Sequence, residues 1–343
     1  MIESIAVENY KNLGKLEISG LTRLTLIGGE NNCGKSSLLE AVALALDPAN
    51  EVVVTALFRG LSLGHFSQPW LNLFANFQNK QPIRITLSPI DIHLLASKPT
   101  RADLQRVNQN PYLPREAVLN GTNSLFLQSR MGESQEDIFL AFAMEKLLIH
   151  TTLNSQPNIA YITGNTPLQL SRMNELFSAA TMQHPERLEM ILDLLSRVDS
   201  AITGMQLLSP GSTSMPYLST TSGLMFPAML QGDGIKRLFI ILLHLVNLEG
   251  GILLVDEIDH GLHHSSLVQF WQAISRVAAA MQCQVLASTH SYECLAAACQ
   301  GCKEIGEDLT YIRLDRDNQG NLNPKIYPFD LLESAMETRW EIR

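Results

Sequence analysis

A short segment near the amino terminus has the composition of a loop that holds phosphate. Gly29 to Ser36 reads Gly-Glu-Asn-Asn-Cys-Gly-Lys-Ser, which fits the pattern Gly-x-x-x-x-Gly-Lys-Ser/Thr. The glycines let the main chain turn its N–H groups towards an anion, the lysine neutralises phosphate charge, and the serine hydroxyl binds Mg²⁺. The pattern predicts an ATP and Mg²⁺ site whose nucleotide contacts are Gly29, Asn31, Asn32, Cys33, Gly34, Lys35, Ser36 and Ser37.

Two adjacent carboxylates follow an apolar segment later in the chain. Gly251 to Val255 carries no charge and leads into Asp256 and Glu257, as at the carboxyl end of a buried strand. We expect Asp256, with Ser36, to bind Mg²⁺. Glu257 is expected to point the other way, because strand side chains alternate, and to accept a proton from the attacking water. The alternative is a solvated acidic turn, which is common where strands end.

A histidine follows the next predicted strand. His290 ends the sequence Ser288-Thr289-His290, directly after an apolar segment. The carboxyl ends of parallel strands share one edge of a sheet, so we expect His290 to approach Asp256 and to contact the γ-phosphate or the attacking water. A lone histidine is more often structural. The predicted catalytic residues are therefore Lys35, Glu257 and His290.

Strands and helices must bring these residues to one edge. Leu24 to Gly28 is an apolar strand candidate, and Ser36 to Leu46 has helical spacing. The last third of the chain alternates helix and strand, with helices predicted at Ile235–Leu248, Ser265–Met281 and Tyr292–Ala298 and strands at Gly251–Val255 and Gln284–Ala287. This alternation predicts an α/β fold with a central, mostly parallel sheet. Two short strands, Ile2–Glu8 and Lys15–Ile18, predict an antiparallel β lobe at the amino terminus.

The chain divides into three segments on these patterns. Residues 1–88 form the first half of the core with the phosphate loop, and residues 206–343 form the second half. Residues 89–205 are predicted to be a mostly helical insertion, which includes an amphipathic helix over Glu136–His150 and one core strand near 158–163. Short antiparallel strands are expected between Ile202 and Met225.

Charge and hydropathy exclude several classes of protein. The net charge of −9 argues against a protein that coats nucleic acid over its whole surface. The amino terminus lacks a basic start followed by an apolar core, so we expect no signal peptide. The longest apolar run, Leu238–Val246, is too short to cross a bilayer. Five cysteines fit a reducing compartment. We therefore expect a cytoplasmic protein without membrane insertion.

The motifs together resemble a family of ATPases. The sequences GENNCGKSSLLEA, LLVDEIDHGLHHS and STHSYE, with the early NYKNL, are similar to the ATPases related to the OLD proteins, RecF and the ABC type. The resemblance implies a P-loop NTPase fold and a head-to-tail, ATP-dependent dimer. It also implies that Gly232, Asp233 and Gly234, at a signature-like position, cap the γ-phosphate bound by the partner, and that Asp259 and His263 lie along the seam. Gln68 and Gln78 are candidates for the glutamine that senses magnesium in ABC-type relatives.

Three functions remain open on this resemblance. The first is a nucleotide-driven switch that controls a separate effector, such as a nuclease, in bacterial anti-phage defence. The second is a DNA repair or recombination ATPase of the RecF type, in which DNA is a partner, and the third is the motor subunit of a transporter. OLD-type relatives often carry a C-terminal nuclease domain. Few residues follow His290, so we expect any nuclease to be a separate protein.

Overall fold

The structure is a computed structural model that describes residues 1–59, 61–108, 123–143, 146–151, 158–163, 170–317 and 319–338. The described strands are β1 Ser4–Tyr10, β2 Gly14–Ser19, β3 Leu24–Gly28, β4 Ile83–Ser88, β5 Ile92–Ser97, β6 Ser124–Met131, β7 Ser134–Ala143, β8 Lys146–Thr151, β9 Ile159–Ile162, β10 Ile202–Leu208, β11 Met215–Thr220, β12 Met225–Pro227, β13 Ile252–Val255, β14 Gln284–Ser288, β15 Leu309–Arg316 and β16 Leu322–Tyr327. The described α-helices are α1 Lys35–Leu46, α2 Glu51–Ala56, α3 Arg101–Asn108, α4 Leu170–Gln183, α5 Pro185–Val198, α6 Asp233–Val246, α7 Leu267–Ala280, α8 Tyr292–Ile305 and α9 Phe329–Glu337. In the part of the chain that the structure describes, none of these helices has the length and hydropathy of a membrane span.

A six-stranded sheet carries the phosphate-loop strand. Its order is β16-β15-β3-β14-β13-β9, in which β15, β3, β14, β13 and β9 run parallel and β16 pairs antiparallel at one edge. β3 and β13, which precede the phosphate loop and the acidic pair, are separated by β14 alone. The carboxyl ends of these three strands therefore lie side by side. The strand predicted near 158–163 is confirmed as β9, which pairs with β13.

A second sheet of seven strands is antiparallel throughout. Its order is β2-β1-β4-β5-β6-β7-β8, so the expected amino-terminal β lobe of β1 and β2 is continued by five further strands. A third, three-stranded sheet, β10-β11-β12, lies between Ile202 and Pro227. The prediction of an α/β fold is confirmed, but the largest sheet of the described residues is the antiparallel one rather than a central parallel sheet.

The prediction of a mostly helical insertion is wrong where the described residues form strands β5, β6, β7 and β8, although Arg101–Asn108 is helical as α3. Glu136–His150, expected as an amphipathic helix, lies instead in β7 and β8, which pair with each other. The cause is a continuous apolar run, Ile138 to Ala141, whose side chains are all buried. Such a run fits a strand buried on both faces as well as a helix. Further along the same segment, Pro185–Val198 is helical as α5.

Helix α1 is buried between the two large sheets. Residues Ser37 to Leu46 are all buried, and the helix packs against both the antiparallel sheet and the six-stranded sheet. Helices α4 to α8 cover the opposite face of the six-stranded sheet. A helix that is apolar on all sides belongs inside a protein core. This burial fixes the position of the phosphate loop, because the loop runs directly into the first turn of α1.

Candidate nucleotide-binding site

The phosphate loop joins β3 to α1 through residues in the left-handed region. Gly29, Asn32 and Gly34 have φ angles of 127°, 63° and 112°. Gly34 is the residue that caps α1, and as a glycine it has no side chain that could accept a hydrogen bond from the first turn. The first N–H groups of a helix lack partners within the helix, and they carry the positive end of the helix dipole. The loop and the uncapped helix start therefore fit a bound phosphate.

The loop is packed so tightly that side chains are excluded at its two ends. A Cβ atom at Gly29 would overlap the main-chain oxygen of Leu314 in β15, and one at Gly34 would lie 2.8 Å from the Leu13 side chain. The positive φ angles of both residues add a second reason for glycine. The glycines of the motif are thus required by close packing as well as by the turn.

Lys35 lies over this loop. Its Nζ atom donates hydrogen bonds to the main-chain oxygens of Gly29 and Glu30, at 2.9 and 2.8 Å. The Cys33 side chain is buried beneath, whereas Asn31 and Asn32 are exposed. The structure thus gathers the predicted loop residues around one concave turn, with an ammonium group at its centre.

Ser288 joins the two carboxylate-bearing residues. Its hydroxyl donates a hydrogen bond to Asp256 Oδ1 (2.5 Å) and accepts one from the main-chain N–H of Glu257 (2.8 Å). β13 ends at Val255, and Glu257 has a φ of 50°. The prediction that strand alternation points the two side chains in opposite directions is therefore wrong, because both residues lie beyond the end of the strand. A turn held by Ser288 orients them instead.

His290 lies at the same edge of the sheet, because the preceding residue, Thr289, is hydrogen-bonded there. Thr289 donates its main-chain N–H to Ile27 of β3 (3.0 Å) and its hydroxyl to Asp259 (2.7 Å). His290 itself is exposed and lines a cavity of about 310 Å³ together with Gly28, Gly29 and Glu30. Neighbouring strands lie ~4.8 Å apart, so the ends of β3 and β13 are about 10 Å from each other across β14. The loop, the acidic pair and His290 thus share one edge.

Oxygen atoms at this edge suit a magnesium ion. Ser36 is half-buried in the first turn of α1 and offers a hydroxyl, and Asp256 offers a carboxylate. Mg²⁺ prefers hard oxygen ligands and usually completes its shell with water and substrate phosphate. Both residues fit that requirement.

Sequence reasoning missed a buried ion cluster beside the loop. Glu40 of α1 is 2% exposed and pairs with Lys11 Nζ (2.6 Å) and Arg59 Nε (2.9 Å). Arg59 also donates to Ser37 (3.4 Å). Burial lowers the pKa of Arg59, but the carboxylates of Glu40 and, further off, Asp256 outweigh it and raise the pKa overall. The available signal was one acidic residue within an otherwise apolar helix.

The signature-like loop occupies another part of the same chain. Gly232 and Asp233 are exposed at the start of α6, and Asp233 pairs with Lys236. Gly234 packs against Leu262, beyond the acidic pair. Within one chain, the described contacts do not bring Gly232 to Gly234 onto the phosphate loop.

The two candidate glutamines lie outside the site. Gln68 and Gln78 are exposed, and Gln68 lines a small cavity with Lys98 and Ser124 of the antiparallel side. Within the described ranges, no hydrogen bond joins either glutamine to the phosphate loop or the acidic pair. A cavity of about 600 Å³ is lined by the edge strand β9 and by α4 and α6 rather than by the phosphate loop.

Comparison with known sequences identifies a family match and two short local matches. The family model described as "AAA domain, putative AbiEii toxin, Type IV TA system" matches residues 24–296. An "ATP/GTP phosphatase" of Helicobacter pylori is 50% identical over 42 residues, 12% of this chain and 11% of that protein. The uncharacterized protein MJECL10 of Methanocaldococcus jannaschii is 44% identical over 46 residues, 13% of this chain and 21% of that protein. The chain thus spans only a small part of the curated relatives it matches.

Comparison with solved structures shows the fold. The structure titled "Crystal structure of the SmcHead bound to the C-winged helix domain of ScpA" matches with a TM-score of 0.56 at 12% identity, covering 98% of this chain and 99% of the other. An Smc head domain with an extended coiled coil, bound to the C-terminal domain of ScpA from Pyrococcus furiosus, matches with a TM-score of 0.51 at 11% identity, covering 100% and 99%. The fold of this chain is therefore similar to that of SMC head domains.

Proposed function

We propose that this chain, which belongs to the family described as "AAA domain, putative AbiEii toxin, Type IV TA system", binds ATP with Mg²⁺ and hydrolyses its γ-phosphate. The observation that carries the proposal is a pair of hydrogen bonds at Ser288, on the strand adjacent to β3: its hydroxyl donates to the Asp256 carboxylate and accepts from the main-chain N–H of Glu257. These bonds hold the Asp256 carboxylate and the backbone of Glu257 beside a glycine loop that contains Lys35. That is the set of groups that phosphoryl transfer to water requires.

Each group has a distinct task in this proposal. Lys35 and the N–H groups at the start of α1 bind the β- and γ-phosphates, and Ser36 and Asp256 hold Mg²⁺. The metal neutralises phosphate charge when bound. Glu257 accepts a proton from the attacking water, and His290 contacts the γ-phosphate or that water. Arg59, half-exposed and linked to Ser37, is a further cation on the same side of the loop.

The decisive experiment compares ATP turnover in two variants. Glu257→Gln removes the proton acceptor and keeps the side-chain volume, so turnover should fall by about 10²- to 10⁴-fold while ATP still binds. The matched control is Glu17→Gln, an exposed glutamate on β2, whose turnover should equal that of the wild type. Unchanged turnover in Glu257→Gln would remove Glu257 from this role, and failure of the wild type to bind ATP would overturn the proposal.

The same site would act in a dimer. The start of α6 is a second uncapped helix terminus with glycines on either side of Asp233, suited to contact a phosphate bound by another copy. In this arrangement Gly232, Asp233 and Gly234 cap the γ-phosphate held by the partner. Glu257→Gln with ATP and Mg²⁺ should therefore run as a dimer in size-exclusion chromatography with light scattering, and the same variant without ATP as a monomer. A monomer under both conditions would contradict this arrangement.

We further propose that nucleotide turnover serves as a switch for a separate protein. One solved relative in fold, an SMC head, is named as bound to the winged-helix domain of ScpA, which supports control through a bound partner. A nuclease effector in anti-phage defence fits this scheme. Co-purification with native neighbours, with and without ATP, tests it, and a complex that ignores nucleotide state would contradict a switch.

DNA repair remains the second candidate. It predicts that duplex DNA accelerates ATP turnover, and that this acceleration falls steeply between low and moderate salt because phosphate contacts release counterions. Turnover that is indifferent to DNA at low salt would exclude it.

A further inference from the structure

Helix α6 and the turn after β13 are packed against each other without space for a methyl group. Gly261, with a φ of 77°, faces Asp233, and a Cβ atom at Gly261 would lie 2.6 Å from the Cβ of Asp233. A Cβ atom at Gly234 would lie 3.0 Å from the Leu262 side chain. Interfaces packed this closely transmit displacement. A displacement of the start of α6 would therefore be transmitted to the turn that follows the acidic pair.

Arg237 joins the same two elements by hydrogen bonds. Its Nη2 atom donates to the main-chain oxygens of Asp256 (2.7 Å) and Glu257 (3.2 Å). Among the residues that the structure describes, the buried Nε atom of Arg237 has no acceptor, and leaving a donor unsatisfied is unfavourable. The guanidinium group of Arg237 is thus positioned to donate to the carbonyl groups of Asp256 and Glu257, although its Nε donor stays unsatisfied.

Glu257 depends on such contacts because its backbone is strained. A φ of 50° is unusual for a residue other than glycine. Three hydrogen bonds hold it: its N–H donates to Ser288 (2.8 Å), and its carbonyl accepts from Arg237 (3.2 Å) and from the N–H of His260 (3.0 Å). Of these three, only the bond from Arg237 originates in α6.

We propose that Arg237 is a positioning residue that fixes the backbone of Glu257 and couples it to the Gly232–Gly234 loop at the start of the same helix. This inference rests on the proposed function. In the proposed dimer, the loop contacts the nucleotide of the partner, whereas Glu257 serves the nucleotide of its own chain. Arg237 would therefore link the two nucleotides, so that a triphosphate seated on the loop aligns Glu257 for hydrolysis at the other site.

The chain offers a matched control for a purely structural arginine. Arg187 donates from Nη1 to the main-chain oxygen of Val246 at the far end of α6 (2.7 Å) and pairs with Glu249. It thus also binds a main-chain carbonyl of this helix, but far from the acidic pair. If arginine–carbonyl bonds only stabilise the fold, substitution of Arg187 and of Arg237 should have similar consequences.

The test compares the full-length protein with Arg237→Met, Arg237→Lys and Arg187→Met. For each, ATP binding is measured by titration of a fluorescent ATP analogue, and turnover is measured against ATP concentration. Arg237→Met should lower kcat roughly 10- to 100-fold and abolish the cooperative dependence on ATP, while the Kd for the analogue changes less than about threefold. Arg237→Lys keeps the charge and one donor and should recover part of kcat. Arg187→Met should keep the kcat and cooperativity of the wild type.

The outcomes of this test separate a failure of the inference about Arg237 from a failure of the proposed function. If the wild type hydrolyses ATP and Arg237→Met has the same kcat as Arg187→Met, the inference is wrong and the proposed function stands. If the wild type neither binds nor hydrolyses ATP, the proposed function is wrong and the inference falls with it. Should Arg237→Met not fold, Arg237→Lys decides: a folded Arg237→Lys with wild-type kcat and cooperativity overturns the inference, and a reduced kcat with unchanged Kd supports it.

Discussion

Replacing Glu40 with leucine should destabilise the protein far more than removing either of its cationic partners. Glu40 is 2% exposed in the middle of α1, and Lys11, which pairs with it at 2.6 Å, is 13% exposed. Lys11 Nζ also donates to the main-chain oxygen of Leu57 (2.7 Å). Arg59, the second partner, is 55% exposed. Glu40→Leu would therefore leave the ammonium of Lys11 buried without a counter-charge, while Arg59 could turn to solvent.

The exposed fractions of these side chains determine how much stability each substitution should cost. Breaking a buried pair by removing one partner costs about 3–5 kcal/mol, which we expect for Glu40→Leu. An exposed partner contributes about 0–1 kcal/mol, which we expect for Arg59→Met. Lys11→Met should fall between the two, because Glu40 keeps Arg59 at 2.9 Å. The double variant Lys11→Met/Glu40→Leu replaces the buried charges by apolar groups and should recover most of the loss.

The assay is urea unfolding followed by circular dichroism for the wild type and these four variants. Burial lowers the pKa of Lys11, against the opposing carboxylate of Glu40. Without Glu40 that pKa falls further, so the unfolded chain binds more protons than the folded one, and Glu40→Leu should regain stability as the pH rises towards 10. The reasoning fails if Arg59→Met costs as much as Glu40→Leu, or if the double variant is no more stable than Glu40→Leu.

Three further predictions concern pH, the loop and the edge of the sheet. Burial, with Arg172 nearby, lowers the pKa of His244 from 6.5 to about 4. Between these pH values the unfolded chain binds a proton that the folded chain does not, so the free energy of unfolding should fall by at most about 3 kcal/mol as the pH drops from 6.5 to 4. Thermal melting of His244→Phe over the same pH range should show a smaller fall. Gly29→Ala should abolish binding of a fluorescent ATP analogue, because the new methyl group would overlap a main-chain oxygen. The control is Gly320→Ala, where φ is 82° and the space around the Cβ is open; it should lower the free energy of unfolding by only about 1–2 kcal/mol and bind the analogue normally. Thr289→Val removes the hydrogen bond to Asp259 (2.7 Å) and should cost about 1–3 kcal/mol in urea unfolding, and an unchanged midpoint would show that this bond is dispensable.

Elements whose signals are local were predicted well from the sequence. β3 occupies the predicted residues Leu24–Gly28, and α1 begins at Lys35, one residue before the predicted start. The apolar run before Asp256 and the alternation that follows it also predicted β13, α7 and β14. In each case, residues close in sequence supply the pattern: a glycine turn, a short apolar strand or a 3.6-residue period. Such patterns do not depend on which distant segment covers them.

Elements whose state depends on distant partners were not predicted. Ile138 to Ala141 is apolar throughout, and pairing with β6 and β8 makes it a strand. The turn at Glu257 was also missed, since its φ of 50° depends on Ser288, thirty-one residues away in the chain. Arg59 meets Glu40 across nineteen residues. Composition alone gives no indication of such contacts.

The sequence by itself determined which groups make up the candidate site, because the glycine loop, Lys35, Ser36 and the acidic pair are recognisable from residue type and short spacing. The tertiary structure decided how these groups are held. Placing β14 between β3 and β13 brings Ser288 onto Asp256 and Glu257, and packing α6 on the following turn brings Arg237 onto their carbonyl groups. The reason is physical: hydrogen bonds and close packing act over a few ångströms in space, regardless of separation along the chain.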